Sequence, residues 1–79
     1  MRQKYEHYDI SNDTVDLEHG FVNEDFKGDW DLHREMFKKE RDEKGVHFYT
    51  FKEEENRMEL TCLDPEGYGW KTIISRVAE

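Results

Sequence analysis

The histidines and the single cysteine are the residues best suited to bind a metal or to act as nucleophiles. The four histidines are separated by 12 to 14 residues, at His7, His19, His33 and His47. Zinc motifs instead place pairs of ligands only a few residues apart. Cys62 alternates with Met58 and Leu60, which predicts a buried core thiol rather than a reactive one. We therefore expect neither a zinc site nor cysteine catalysis.

Two short motifs resemble ligand-binding loops but lack essential residues. Residues 9–13 match the opening of a calcium loop, yet Thr14 stands where that loop needs Gly and Gly20 where it needs Glu. Residues 67–69 form a glycine-containing turn rather than a phosphate-binding loop. A chain of 79 residues also has little volume for a pocket of about 300 Å³ or more. We expect no enzyme activity, no catalytic residue, no metal and no cofactor.

The charge of the chain is concentrated near its N-terminus. Nine of the first 31 residues are Asp or Glu and three are basic, so this stretch carries −6 of the total of −8. In a strand, Asp16 and Glu18 would project from one face about 6.6 to 6.8 Å apart. That separation is close to two steps of about 3.4 Å along a DNA strand. An acidic surface of this kind is suited to the basic groove of a nucleic-acid-binding protein, and it argues against direct binding to nucleic acid.

The predicted partner-binding residues are Asp9, Asp13, Asp16, Glu18, Glu24, Asp25, Asp29 and Asp31. The alternative is that these acids only keep a small protein in solution. The aromatic content of 14% supplies a different candidate surface, because Tyr49 and Trp70 are of the residue types that anchor interfaces. The aromatic residues exceed what one face of a small sheet covers. The helix or a second copy of the chain would then have to cover the other face.

The C-terminal half has the pattern of an antiparallel meander of three strands. Residues 46–51 are rich in β-branched and aromatic side chains, and residues 52–57 have the composition of a charged turn. Residues 58–62 alternate between apolar and polar side chains, and the Asp-Pro-Glu-Gly sequence at 64–67 is typical of a turn. A third strand is predicted over residues 70–77.

A helix is predicted over residues 29–44. Its apolar stripe recurs every three or four positions, at Phe26, Trp30, His33 and Phe37. Asp25 or Asp29 is positioned to cap the N-terminus, and Gly45 to end the helix.

The first quarter of the chain allows two interpretations. Tyr8 and Ile10 alternate with polar residues, and so does a second run from Val15 to Phe21, which together predict a hairpin around a turn at 11–13. A helix from Asp13 is the alternative, but Gly20 and several β-forming residues favour the hairpin. The predicted fold is a single α+β domain over residues 1–79, with one amphipathic helix packed on an antiparallel sheet in the order β-β-α-β-β-β.

In size, charge and lack of a reaction motif, the chain is similar to the small acidic inhibitors that phages direct against host nucleases and defence complexes, anti-CRISPR proteins among them. The resemblance is one of type and carries no site residues. It implies a stoichiometric inhibitor that binds a protein partner. The alternative is a small structural or regulatory subunit that assembles through its aromatic sheet face, for example as a homodimer. A single cysteine and a polar N-terminus, with no apolar segment for export or membrane insertion, predict a reduced, cytoplasmic setting.

Overall fold

The computed structural model describes residues 2–45 and 48–77. Within these ranges the chain forms six strands and one helix: β1 (Arg2–Ser11), β2 (Thr14–Val15), β3 (Phe21–Phe26), α1 (Trp30–Lys44), β4 (Tyr49–Glu54), β5 (Arg57–Leu63) and β6 (Gly69–Val77). One antiparallel sheet contains all of these strands. The predicted α+β class, with a helix on an antiparallel sheet, is confirmed.

The sheet joins the two halves of the chain through β1 and β6. β4, β5 and β6 are neighbours in sequence order, as the predicted meander requires. β1 pairs with β6 over nearly its whole length, while β2 and β3 both pair with the other side of β1. β2 and β3 therefore form one border of the sheet, and β4 forms the opposite border.

The helix packs on one face of the sheet, here called the helix-side face. Trp30 of α1 lies in the core with Met58 and Ile74, which are fully buried. Four partly buried aromatic side chains pack around these residues, those of Tyr5, Phe26, Phe37 and Phe51. The Arg76 guanidinium lies 4.1 Å from the centre of the Trp30 ring and covers it.

Local signals set both ends of the helix. The Asp29 side chain accepts the Leu32 backbone N–H at 3.1 Å, so Asp29 rather than Asp25 is the N-cap. Gly45 follows the last turn with a φ of 107°, and its N–H donates to the Arg41 carbonyl. The predicted limits of the helix are confirmed. Phe26 is part of the predicted apolar stripe, but it lies at the end of β3 rather than in the helix. Its ring packs against His33 of α1, with ring centres 5.2 Å apart.

The N-terminal hairpin is confirmed, but its second strand is interrupted. Asn12 and Asp13 both have positive φ, as a tight two-residue hairpin turn requires. Pairing then lasts only through β2, and residues 16–20 leave the edge of the sheet before β3 resumes it. The predicted continuous strand through Leu17 and His19 is wrong. The structure consequently has one more strand before the helix than the predicted order.

Charged residues continue β4 beyond its predicted end. Lys52, Glu53 and Glu54 all pair with β5, so the predicted turn at 52–57 shortens to Glu55 and Asn56. Charged side chains are common on border strands, where they discourage pairing with other chains. Because charged residues are also common in turns, the sequence predicts a turn where β4 continues. The strand begins at Tyr49, and the first two residues of its predicted range, 46 and 47, lie outside the described residues.

Candidate functional site

The predicted acidic residues are all exposed, and half of them lie along the border formed by residues 14–26, here called the acidic edge. This half comprises Asp16, Glu18, Glu24 and Asp25. The others lie in β1, in the hairpin turn, at the helix N-cap and in the first helical turn: Asp9, Asp13, Asp29 and Asp31. The structure therefore gathers four of the eight residues on one border and distributes the rest over neighbouring elements.

Asp16 and Glu18 do not form the predicted strand pair. Asp16 Oδ1 accepts the backbone N–H groups of Glu18 and His19 at 3.1 and 3.2 Å, and Oδ2 lies 3.0 Å from the His19 ring nitrogen. Hydrogen bonding to His19 lowers the pKa of Asp16. The prediction of a strand spacing that matches DNA phosphates is therefore wrong for these residues, because the Asp16 carboxylate folds back onto its own loop.

Other acids of the set make exposed ion pairs. Glu24 lies 3.6 Å from Lys4 Nζ, and Asp25 lies 3.0 Å from Lys27 Nζ. Asp31 pairs with Arg34 on the helix at 3.3 Å. Exposed pairs of this kind contribute about 0 to 1 kcal/mol each, so a basic partner can displace them at little cost.

Large apolar side chains lie exposed on the same border. Leu17 is 72% exposed, Phe21 61% and Val22 43%. In sequence Leu17 stands between two acids, whereas Phe21 and Val22 are adjacent in β3 and precede Glu24 and Asp25. As successive residues of a strand, Phe21 and Val22 point to opposite faces of the sheet. The alternation from Val15 to Phe21 instead predicts a half-buried strand, so Leu17 and Phe21 are not expected at the surface. The sequence signal that could have indicated an exposed loop here is Leu17, which stands between two acids and close to Gly20.

The backbone of β3 is also open to a partner. Within residues 2–45 and 48–77, β3 pairs only with β1, so its outer backbone groups have no strand partner. Glu24 and Asp25 place negative charges beside this open ladder, which opposes pairing with another copy of so acidic a chain. A strand or loop with basic side chains would not meet that repulsion.

The aromatic candidates lie elsewhere, at one end of the helix-side face. The rings of Tyr49 and Trp70 meet edge to face with centres 5.9 Å apart, and the His7 ring lies 5.6 Å from Trp70. Tyr49 and Trp70 are both half-buried. Cys62 is opposite both residues in the strand register. It is half-buried rather than buried as predicted.

The described histidines are engaged in hydrogen bonds that stabilise local structure. His7 Nδ1 lies 2.8 Å from the Thr72 hydroxyl, and His33 Nδ1 donates to the Asp29 carbonyl at 2.8 Å. No group of three or more metal-ligating side chains comes together within residues 2–45 and 48–77. His47 lies outside the described residues.

The search for relatives found no match among protein-family models, curated proteins or solved structures. In the part of the chain that the structure describes, α1 is too short and too polar to cross a membrane.

Proposed function

We propose that the protein acts by binding another protein through the acidic edge, in a stoichiometric complex that blocks the partner. The observation that carries the proposal is the exposure of Leu17, Phe21 and Val22 among the carboxylates of that edge. Interfaces combine an apolar centre with a polar rim. A surface that only keeps a protein in solution has no need of several large exposed apolar side chains along one border.

Charge complementarity favours a partner with a basic surface. The chain carries a net charge of −8, most of it in the segment that contains the acidic edge. Such a field accelerates association with a basic protein and suppresses association with acidic ones. Nucleic-acid-binding proteins present Lys- and Arg-rich grooves of this kind. An inhibitor that occupies such a groove, as the small acidic phage inhibitors do, is the form of the proposal that charge and size support.

The alternative is a structural or regulatory subunit that assembles through its aromatic sheet face. Its support is the half-buried pair of Tyr49 and Trp70, which lies at one end of the helix-side face. The two proposals differ in the residues that binding needs and in the mass of the free protein. The acidic-edge proposal expects a monomer in solution, whereas self-assembly through the aromatic face expects a dimer.

Capture of the partner from an extract of the native cell, followed by affinity measurement at several salt concentrations, tests the proposal. The edge variant carries Glu18→Gln, Glu24→Gln and Asp25→Asn, and it retains Asp16 because that residue holds its loop. The control variant removes the same charge from exposed positions elsewhere, with Glu54→Gln, Glu55→Gln and Glu66→Gln. We expect the edge variant to bind about tenfold more weakly with a flatter salt dependence, and the control to remain within about twofold of wild type.

Two results would contradict the acidic-edge proposal. Equal losses in the edge and control variants would mean that only total charge matters. Normal binding by the edge variant, together with loss of binding in Tyr49→Ala or Trp70→Ala, would favour the aromatic face.

A further inference from the structure

A small cleft opens between α1 and the sheet, on the helix-side face. One of its lining residues, Tyr5, packs against Phe21 of the acidic edge with ring centres 5.9 Å apart. Its volume is about 200 Å³. Leu60 and Thr72, both buried, form its floor. The aromatic rings that line it belong to Tyr5, Phe37 and Trp70. The cleft is therefore an aromatic site that the helix leaves partly open.

One acidic residue, Glu40, is among those that line this mainly apolar cleft. Among residues 2–45 and 48–77, no basic side chain forms an ion pair with Glu40, although the neighbouring Lys39 and Glu43 pair at 3.8 Å. The pKa of Tyr49 is raised mainly by its contact with the Cys62 thiol and by burial, and the Glu40 charge raises it further. The field of Glu40 thus reaches the end of the sheet where Tyr49 meets Trp70.

Aromatic rings and a carboxylate together attract one class of ligand. The faces of aromatic rings attract cations, and alkylated ammonium groups are bound in aromatic cages of this composition. A neutral apolar ligand would gain nothing from Glu40, and an anion would be repelled by it. The size fits a small group, since a cavity of about 150 Å³ holds benzene and drug-sized ligands need about 300 Å³ or more.

We infer that the cleft binds a small alkylated ammonium group, with Tyr5, Phe37 and Trp70 around the cation and Glu40 balancing its charge. This site goes beyond the proposed acidic-edge function because it uses different residues and binds a different class of ligand. The ammonium group has two possible sources, a free small molecule such as choline or an alkylated lysine side chain of another protein.

Nuclear magnetic resonance titration of the full chain tests this site. The probes are choline, 3,3-dimethyl-1-butanol as its neutral isostere, and N-acetyl-trimethyllysine methyl amide. The indole N–H signal of Trp70, assigned with Trp70→Phe, reports on the cleft, and that of the buried Trp30 reports on the core. We expect the cations to shift the Trp70 signal with millimolar affinity and the neutral isostere to bind about tenfold more weakly. The tighter of the two cations identifies the source.

Two substitutions in the same helix distinguish a specific role of Glu40 from a general effect of negative charge on choline binding. Glu40→Gln should weaken choline binding about tenfold and leave the Trp30 signal unchanged, because it removes the balancing charge but not the side chain's shape. Glu43→Gln, one turn further along α1 and exposed, should bind choline like wild type. Equal binding of choline and its neutral isostere, an unmoved Trp70 signal, or equal losses in both variants would overturn the inference.

Discussion

Glu59 is a buried acid on the face of the sheet opposite the helix, only 6% exposed. Its carboxylate lies 2.9 Å from Arg57 and 3.2 Å from Lys71, and it accepts the Thr61 hydroxyl at 3.2 Å. Burial opposes ionisation, but the hydrogen bonds and charges of Lys71 and Arg57 outweigh it and hold the pKa of Glu59 below its usual value of 4.5. The ionised form therefore stabilises the fold.

The first prediction concerns acid stability. Because the Glu59 pKa is lower in the folded chain, its contribution is fully present above the unfolded value and is lost as the pH falls through the folded value. Glu59→Gln should lower the free energy of unfolding by about 1 to 3 kcal/mol at pH 7, and it should reduce the further loss on acidification below about pH 4.5. Urea unfolding at several pH values measures both effects.

The exposed Glu55→Gln is the control for Glu59→Gln. It should change neither the free energy of unfolding at pH 7 nor its acid dependence. An acid dependence unchanged in Glu59→Gln would contradict the assigned ion pairs.

For the side chains of β5, the sequence predicts which face of the sheet each one points to but not what surrounds it. Alternation correctly places Met58 and Leu60 on one face and Glu59 on the other, since side-chain direction depends only on the strand period. The ion pair between Glu59 and Lys71 depends on the pairing of β5 with β6, which local sequence does not reveal. Likewise, Glu40 becomes a candidate ligand only because the fold places it beside Trp70.

At the scale of elements, the helix was predictable and the borders of the sheet were not. Asp29 and Gly45 act on the nearest turn of the chain, so their effect is visible in the sequence. The border strands β3 and β4 contain charged runs, because their outer side is exposed, and charged runs also suit turns and helix ends. Residues 16–20 leave the sheet edge without any Pro that would mark the break.

Gly20 lets the end of the loop formed by residues 16–20 lie close to the ring of Tyr8. A side chain at this position would collide with the ring of Tyr8, which is buried. Glycine therefore allows the loop to cover Tyr8 while Leu17 points away from the core. The path of the loop that carries Leu17 therefore depends on this contact.

Gly20→Ala should lower the free energy of unfolding by about 1 to 3 kcal/mol, because the methyl group overpacks the contact with Tyr8. Leu17→Ala, in the same loop but highly exposed, should change it by less than about 0.5 kcal/mol. Thermal or urea unfolding of the two variants checks this. A stable Gly20→Ala would mean that the loop does not rest on Tyr8.

At the scale of the whole molecule, composition predicts the class of partner but not the place where it binds. The negative charge and the lack of catalytic motifs are visible in the sequence. The exposure of Leu17 is not, because it arises from the interruption of the strand between Val15 and Phe21. The two proposed sites use different residues, the acidic edge on one border of the sheet and the cleft beneath the helix, and they adjoin where Tyr5 packs against Phe21.

The affinity of the captured partner for Leu17→Ser, compared with Leu32→Ser, tests the central claim most directly. Both leucines are exposed, at 72% and 56%, but only Leu17 lies on the acidic edge. Neither change alters the net charge, so the comparison isolates the apolar centre of the proposed interface. We expect Leu17→Ser to raise the dissociation constant about tenfold or more, and Leu32→Ser to leave it within about twofold of wild type. Wild-type affinity in Leu17→Ser would contradict binding through the acidic edge.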